Sequence, residues 1–345
     1  METKSFTIPF PKSDIPCCIQ TPPAPSTDTI GIILAHGAGG DLNSPAMASL
    51  ATTLTKHNFT TLRFTASSLN LDHRVKQYEA VYTYTQSPSF ATHVKTVPKQ
   101  WILAGRSMGA RASAALSALP STDCVAVLAF SYPLHNERHT GGLRDALLKN
   151  LTRPILFVSG SNDNMCDLGI LATTRTKMRQ PNWLVTLEGG NHSGSVKGGG
   201  KANASVLECV GELCRSWVDY VVDGDEGSKW KDSECMLKAE KGGSVVRTWS
   251  KKVGTGSSSS KVGDAEQADE SGKAADEDAE EDAEPPVKKR KAATSKKGKA
   301  AAADDDDTDV EVPPKATRKT ARVTKKVKTV VEENDDDDED EEPPK

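Results

Sequence analysis

Ser107 stands at the centre of Gly105-Arg-Ser-Met-Gly109, between the apolar run Trp101-Ile-Leu-Ala and the helix-forming series Ala110–Leu119. A Gly-x-Ser-x-Gly turn between a strand and a helix holds its serine in a strained conformation. Glycine is needed at positions 105 and 109, where a side chain would strike the neighbouring strand or helix. The Ser107 hydroxyl would then project from a helix start, whose partial positive charge favours a developing oxyanion. A second loop, His36-Gly-Ala-Gly-Gly40, follows the run Ile30–Ala35. There the Ala38 N–H is the expected second oxyanion donor, with the Met108 N–H as the first. The remaining chemistry is acid and base. Asp163 in Ser159-Gly-Ser-Asn-Asp-Asn and His192 in Glu188-Gly-Gly-Asn-His-Ser each lie a few residues past a strand-like run, in the chain order Ser, Asp, His. Such a triad serves nucleophilic acyl transfer on an ester or thioester.

Each assignment has a competitor. Asp167 is near enough to replace Asp163 but is better placed as a helix cap, so Asp163 is preferred. His57, His73, His93, His135 and His139 fall in helices or connecting loops, whereas His192 alone ends a strand in a Gly-flanked loop. His36 reads as a brace for its own loop, and Cys166 as a packed thiol with no histidine to activate it. Arg106, beside the nucleophile, reads first as a surface arginine in a salt bridge and second as a group that steers an anionic substrate.

These residues need a scaffold that brings strand ends together. Eight strand-like runs are expected: Ser5–Phe10, Ile15–Gln20, Ile30–Ala35, Phe59–Phe64, Gln100–Ala104, Cys124–Phe130, Ile155–Ser159 and Trp183–Leu187. Six helices alternate with them, at Ala46–His57, Asp72–Thr85, Met108–Leu119, Gly142–Asn150, Leu168–Met178 and Asn203–Val222. In the last, Val206, Val210, Leu213, Trp217 and Val221 make one apolar face. Such alternation predicts a mainly parallel sheet with helices on both faces. The short interval between Phe130 and Ile155 leaves little room for a large cap, so a small or open acyl site is expected.

Of 345 residues, the first 223 carry 20 Lys+Arg against 16 Asp+Glu and hold every Phe and Tyr; the rest carry 24 against 32. One folded domain over 1–223 is therefore expected, then a linker over 224–252 with a small hairpin between Trp230 and Trp249. The remainder, 253–345, is too poor in apolar residues to offset its ordering entropy and reads as a disordered polyampholyte tail. No run reaches the roughly 20 apolar residues of a membrane span, and Met1-Glu-Thr-Lys-Ser-Phe lacks the form of a signal peptide. Neither a membrane contact nor secretion is expected. Seven Cys without a Cys-x-x-Cys spacing suit neither a disulfide scaffold nor a zinc module. No metal and no cofactor are expected.

Several stretches together resemble a known family: Leu34-Ala-His-Gly-Ala-Gly-Gly-Asp41, Leu62-Arg-Phe-Thr65, Gly105-Arg-Ser-Met-Gly109, Ser131-Tyr-Pro-Leu-His135, Leu156-Phe-Val-Ser-Gly-Ser161 with Asp163 and Met165-Cys166, and Asn191-His-Ser193 with Val196-Lys197-Gly198. They resemble the α/β-hydrolase superfamily in its dienelactone-hydrolase-like clan. Within it they are most similar to the family of testis-expressed protein 30 and the third regulatory subunit of the NSL histone acetyltransferase complex. The resemblance implies an α/β-hydrolase fold and a triad at Ser107, Asp163 and His192. It implies no substrate, and it does not extend to residues 224–345.

The tail has a crude repeat. Pro-Pro pairs at 285–286 and 313–314 each open a basic block, and Asp304–Asp307 and Asp335–Glu342 supply the acidic ones. Lys288, Lys289, Arg290 and Lys291 read as a nuclear import signal for an import receptor. No aromatic residue interrupts the basic blocks, so chromatin or nucleic-acid contact would be salt-sensitive phosphate binding alone. A nuclear protein is expected, with a cytoplasmic one as the alternative. Two functions stay open: a serine hydrolase of a small acyl substrate, or a hydrolase-fold interaction subunit of a nuclear complex.

Overall fold

The structure, a computed structural model, describes residues 1–24, 30–137 and 142–252. The expected tail over 253–345, Lys288–Lys291 included, lies outside the described residues, as does His139.

Ten strands form one sheet. In chain order they are β1 (Glu2–Ile8), β2 (Ile15–Thr21), β3 (Ile30–Ala35), β4 (Thr60–Phe64), β5 (Gln100–Arg106), β6 (Ala126–Phe130), β7 (Ile155–Gly160), β8 (Asn182–Leu187), β9 (Ser233–Ala239) and β10 (Val245–Lys251). Their spatial order is β1-β2-β4-β3-β5-β6-β7-β8-β9-β10. Strands β4 through β9 run parallel, and antiparallel neighbours close both edges. The central strands are buried on both faces, which is why Ile30–Ala35 and Ile155–Gly160 are almost continuously apolar and do not alternate. This is the α/β-hydrolase fold with helices on both faces of the sheet.

The helices are α1 (Pro45–Lys56), α2 (Leu71–Thr85), α3 (Met108–Ser117), α4 (Ala146–Lys149), α5 (Leu168–Thr176) and α6 (Gly199–Asp223). On one face, α1 and α6 pack over the sheet through Leu50, Leu54, Val206, Val210 and Trp217. On the other, α2 and α3 cover β3 to β5, while α3 and α5 cover β6 and β7. After β3 the chain turns to β4 on one side, then returns to β5 on the other. The crevice beyond the ends of β3 and β5 is thus a switch point, where open α/β sheets place their ligands.

Two expectations change. The sheet has ten strands, not eight, because the Trp230–Trp249 hairpin is β9–β10 and joins β8 in parallel. The folded region therefore runs past residue 223. Trp230 anchors the join: it is buried, its Nε1–H donates to Ser216 Oγ at 2.9 Å, and its carbonyl accepts from Trp183 Nε1 at 2.7 Å. The helix expected over Gly142–Asn150 shrinks to the single turn α4. Its start is diverted, since the Arg144 N–H donates to Leu134 O at 2.7 Å and Arg144 O accepts from the Tyr132 hydroxyl at 2.8 Å. These tertiary bonds hold Arg144 outside the helix, which begins only at Ala146.

Among the described residues, no helix is long and apolar enough to cross a membrane, and no cluster of His, Cys, Asp and Glu is arranged to hold a metal.

Candidate active site

The turn between β5 and α3 leaves no room for substitution. A Cβ on Gly105 would lie 2.2 Å from Gly109 C, and one on Gly109 would lie 2.1 Å from Ala35 O. Between these close approaches the chain must reverse sharply, and Ser107 absorbs the reversal at φ 52° and ψ −118°. A non-glycine residue there costs on the order of 1–3 kcal/mol, which the surroundings must impose. They do so through the backbone. Ser107 N–H donates to Phe130 O at 2.9 Å, and Ser107 O accepts from Ala110 N–H at 2.9 Å.

The strain aims the hydroxyl. Ser107 Oγ lies 2.9 Å from His192 Nε2, and His192 Nδ1 lies 2.9 and 3.0 Å from the two oxygens of Asp163. Three strand ends thus deliver three side chains into one hydrogen-bonded line. The carboxylate accepts the hydrogen bond from Nδ1–H, which leaves the Nε2 lone pair facing the serine hydroxyl. The Asp163 side chain is wholly buried, while the His192 side chain is 22% exposed. Asp163 is held in turn by Met165 N–H, which donates to its Oδ1 at 2.8 Å.

The His192 loop is shaped by its neighbour. Asn191 Oδ1 accepts from Ser193 N–H at 3.0 Å, Ser193 Oγ at 2.7 Å and Ser195 N–H at 3.1 Å. Such an Asx turn is visible in the sequence as an Asn in a Gly-Gly-Asn-His-Ser run, although the Asn was given no role there.

The loop after β3 is fixed from behind. Arg74 of α2, buried, donates through Nη1 to His36 O at 2.8 Å and through Nη2 to Gly37 O at 3.3 Å. A trans peptide sets its N–H opposite its C=O, so holding Gly37 O turns Ala38 N–H away from Arg74. A Cβ on Gly37 would lie 3.4 Å from Ser107 Cβ, so this loop packs against Ser107. Among the described residues, neither Ala38 N–H nor Met108 N–H has an acceptor. They are unspent donors on either side of Ser107. Nothing in sequence spacing pointed to Arg74.

The other histidines have other work. His36 Nδ1 donates to Gly37 O at 2.7 Å and Nε2 accepts from Ala66 N–H at 2.9 Å, and burial, the largest influence, pushes its pKa down. It is a neutral brace. His57 contacts Glu208 at 3.0 Å, His93 contacts the Tyr84 hydroxyl at 3.0 Å, and His135 accepts from Asp167 N–H at 2.9 Å. Asp167 caps α5, accepting from Ile170 N–H at 2.8 Å. Cys166 is buried and its thiol is pushed up to about 12, chiefly by desolvation, so it is unreactive near neutrality. Arg106 corrects the reading given it first. Among the described residues it has no acidic partner within salt-bridge distance, and its single hydrogen bond runs from Nη2 to His192 O at 3.1 Å.

Comparison with known proteins agrees with this architecture. The profile of a family described as "Alpha/beta hydrolase domain" matches residues 28–219. Est1E from Butyrivibrio proteoclasticus superimposes with a TM-score of 0.51 at 15% identity, over 64% of this chain and 99% of that one. Its form titled as bound to ferulic acid gives 0.51 at 15% identity, over 63% and 99%. A dienelactone hydrolase from Anabaena variabilis gives 0.50 at 14% identity, over 64% and 97%. At such identities the likeness is one of fold.

Proposed function

Because the chain belongs to the alpha/beta hydrolase domain family, we propose that it is a serine hydrolase cleaving a carboxylic ester or thioester through an acyl-Ser107 intermediate. The observation that carries this reading is the line from Ser107 Oγ through His192 to Asp163, with the nucleophile at φ 52°. A packing role needs none of the three, and a strained serine facing a carboxylate-oriented imidazole has a direct use in attack.

In the reaction, His192 Nε2 takes the Ser107 proton as Oγ bonds to the acyl carbon, and Asp163 stabilises the imidazolium that forms. The carbonyl π pair moves onto oxygen, where Ala38 N–H and Met108 N–H receive the negative charge. Collapse expels the alcohol or thiol, protonated by His192. Water, deprotonated by His192, then attacks the acyl-serine, and the proton returns to Oγ as the acid leaves. Between β6 and β7 the only described helix is the single turn α4, which favours an open site and a small acyl group.

The motif stretches spread between residues 34 and 198 favour a finer placement beside testis-expressed protein 30 and the third regulatory subunit of the NSL histone acetyltransferase complex. The charge pattern of the tail, independently of that placement, supports a nuclear address read by an import receptor at Lys288–Lys291 and salt-sensitive chromatin contact through the basic blocks. Replacing Lys288–Lys291 with alanine should move the tagged protein from nucleus to cytoplasm; unchanged distribution would remove the address.

The catalytic reading is tested by turnover. The full chain should hydrolyse 4-nitrophenyl acetate or a butyryl thioester, and Ser107→Ala should not. Equal rates for the two proteins would refute it.

A further inference from the structure

The mechanism leaves one large concavity unused. Between α1 and α6 lies a cleft of about 660 Å³ that is not lined by Ser107, Asp163 or His192. Its floor is the ends of β6, β7 and β8 at Phe130, Val158 and Leu187, and Leu50 and Val206 form its apolar walls. Volume and lining are those of a small-molecule site.

Its polar groups are unevenly placed. At the outer end, Lys56 stands 3.9 Å and His57 3.0 Å from Glu208, so that cation and that carboxylate already have partners. At the inner end are Arg106 and Ser131. Arg106 is half-buried and, among the described residues, has no carboxylate partner and spends a single N–H on His192 O. Burial, the larger influence, pushes its pKa down, while the charge of the Asp163 carboxylate acts the other way. Ser131 is buried at a left-handed φ of 47°, its backbone N–H tied to Val158 O at 2.8 Å, and its hydroxyl has no partner among the described residues. Both groups line the cleft with hydrogen-bonding capacity that no protein partner among the described residues takes up.

We propose that this cleft binds a straight-chain aliphatic carboxylate, its head group on Arg106 and Ser131 and its chain between α1 and α6. A planar guanidinium pairs with a carboxylate through parallel hydrogen bonds, and one cation matches one monoanion. Leu50, Phe130, Val158 and Val206 give the chain apolar walls, and the lining residues Ala204 and Ser49 are exposed. The ligand could be an acid released at Ser107 or one taken from solution. Binding itself is independent of turnover; an acid that co-purifies with the wild type but not with Ser107→Ala is a released product, and one that co-purifies with both is taken from solution.

Isothermal titration calorimetry of the full chain with sodium decanoate tests the site. Saturable one-to-one binding is expected for the wild type and for Ser107→Ala, and for 1-decanol weaker binding by about tenfold or more, the scale of a lost charge-assisted hydrogen bond. Arg106→Ala should weaken decanoate to the level of decanol, with partial recovery in Arg106→Lys. Ala204→Trp, at an exposed position of α6, should block the cleft and abolish binding while the thermal transition stays in place. Absence of saturable binding, decanol binding as tight as decanoate, or affinity unchanged in both Arg106→Ala and Ala204→Trp would overturn the proposal. Decyl phosphate binding more than tenfold tighter than decanoate would overturn the carboxylate assignment.

Discussion

The glycine-rich loops after β3 and after β8 each carry a histidine, and the two imidazoles have opposite fates. In the first, both ring nitrogens of His36 are spent on backbone groups, Gly37 O at 2.7 Å and Ala66 N–H at 2.9 Å. In the second, His192 spends one nitrogen on a buried carboxylate and keeps the other for a serine hydroxyl at 2.9 Å. Burial follows the same division. His36 is 1% exposed, whereas the His192 side chain keeps 22% of its surface open to solvent. An imidazole bonded only to backbone is a strut, and one set between an acid and a hydroxyl is a base. The partners decide, not the local sequence.

Substitutions can break this contrast, and the largest effect belongs to His192. His192→Ala should lower kcat about 10⁴- to 10⁶-fold, the range of triad knockouts in serine hydrolases, and cost about 1–3 kcal/mol of stability, because it leaves the buried Asp163 carboxylate without its imidazole partner. Steady-state kinetics with a parallel urea titration checks both halves. Asp163→Asn should cost about 10⁴-fold by favouring the wrong tautomer of His192. It should leave KM nearly unchanged, because Asp163 does not face the substrate.

Arg74→Met tests the strut side. Without the guanidinium on His36 O and Gly37 O, the Ala38 N–H loses its fixed direction, and kcat should fall about 10- to 100-fold, less than for a removed oxyanion donor. A fall in kcat with little change in KM marks a transition-state effect; a change in KM alone would assign Arg74 to substrate binding.

The smallest effect is in pH. Burial depresses the His36 pKa, so the unfolded chain binds the proton more readily than the folded one. His36 therefore contributes stability that is complete above its ordinary value of about 6.5 and is lost as pH falls below it. Urea midpoints at pH 7.5 and 5.5 should separate more for wild type than for His36→Leu. The variant should be less stable at the higher pH by about 1–3 kcal/mol, since it leaves Ala66 N–H without an acceptor. An equal separation would mean that His36 does not carry the acid sensitivity.

Much of the site is legible in the sequence because its residues sit where the backbone allows little else. Gly105 and Gly109 are fixed because a Cβ there would strike backbone at about 2.2 and 2.1 Å, and Asp163 and His192 follow runs buried on both faces. The hairpin β9–β10 is harder to read as part of the sheet. Glu234 looks like a surface residue of a weak strand, yet it is buried in an ion pair with Arg175 of α5, which also donates from Nε to Asn182 Oδ1 at 2.8 Å. A pair 59 positions apart has no local signature. Arg74 and Arg106 escape for the same reason: each acts through a carbonyl of a distant loop, and a backbone acceptor leaves no mark on residue type. The helix expected over Gly142–Asn150 fails because its propensity is local while the bonds that hold Arg144 are tertiary.

The central claim is that Ser107 is an activated nucleophile. An activated serine beside an oxyanion site reacts with fluorophosphonates far faster than a surface serine. Treatment of the intact chain with a fluorophosphonate probe, followed by peptide mapping, should find one adduct, on Ser107, absent in Ser107→Ala and formed far more slowly in His192→Ala. A wild-type protein that takes up no probe, or an adduct that persists in Ser107→Ala, would contradict the account.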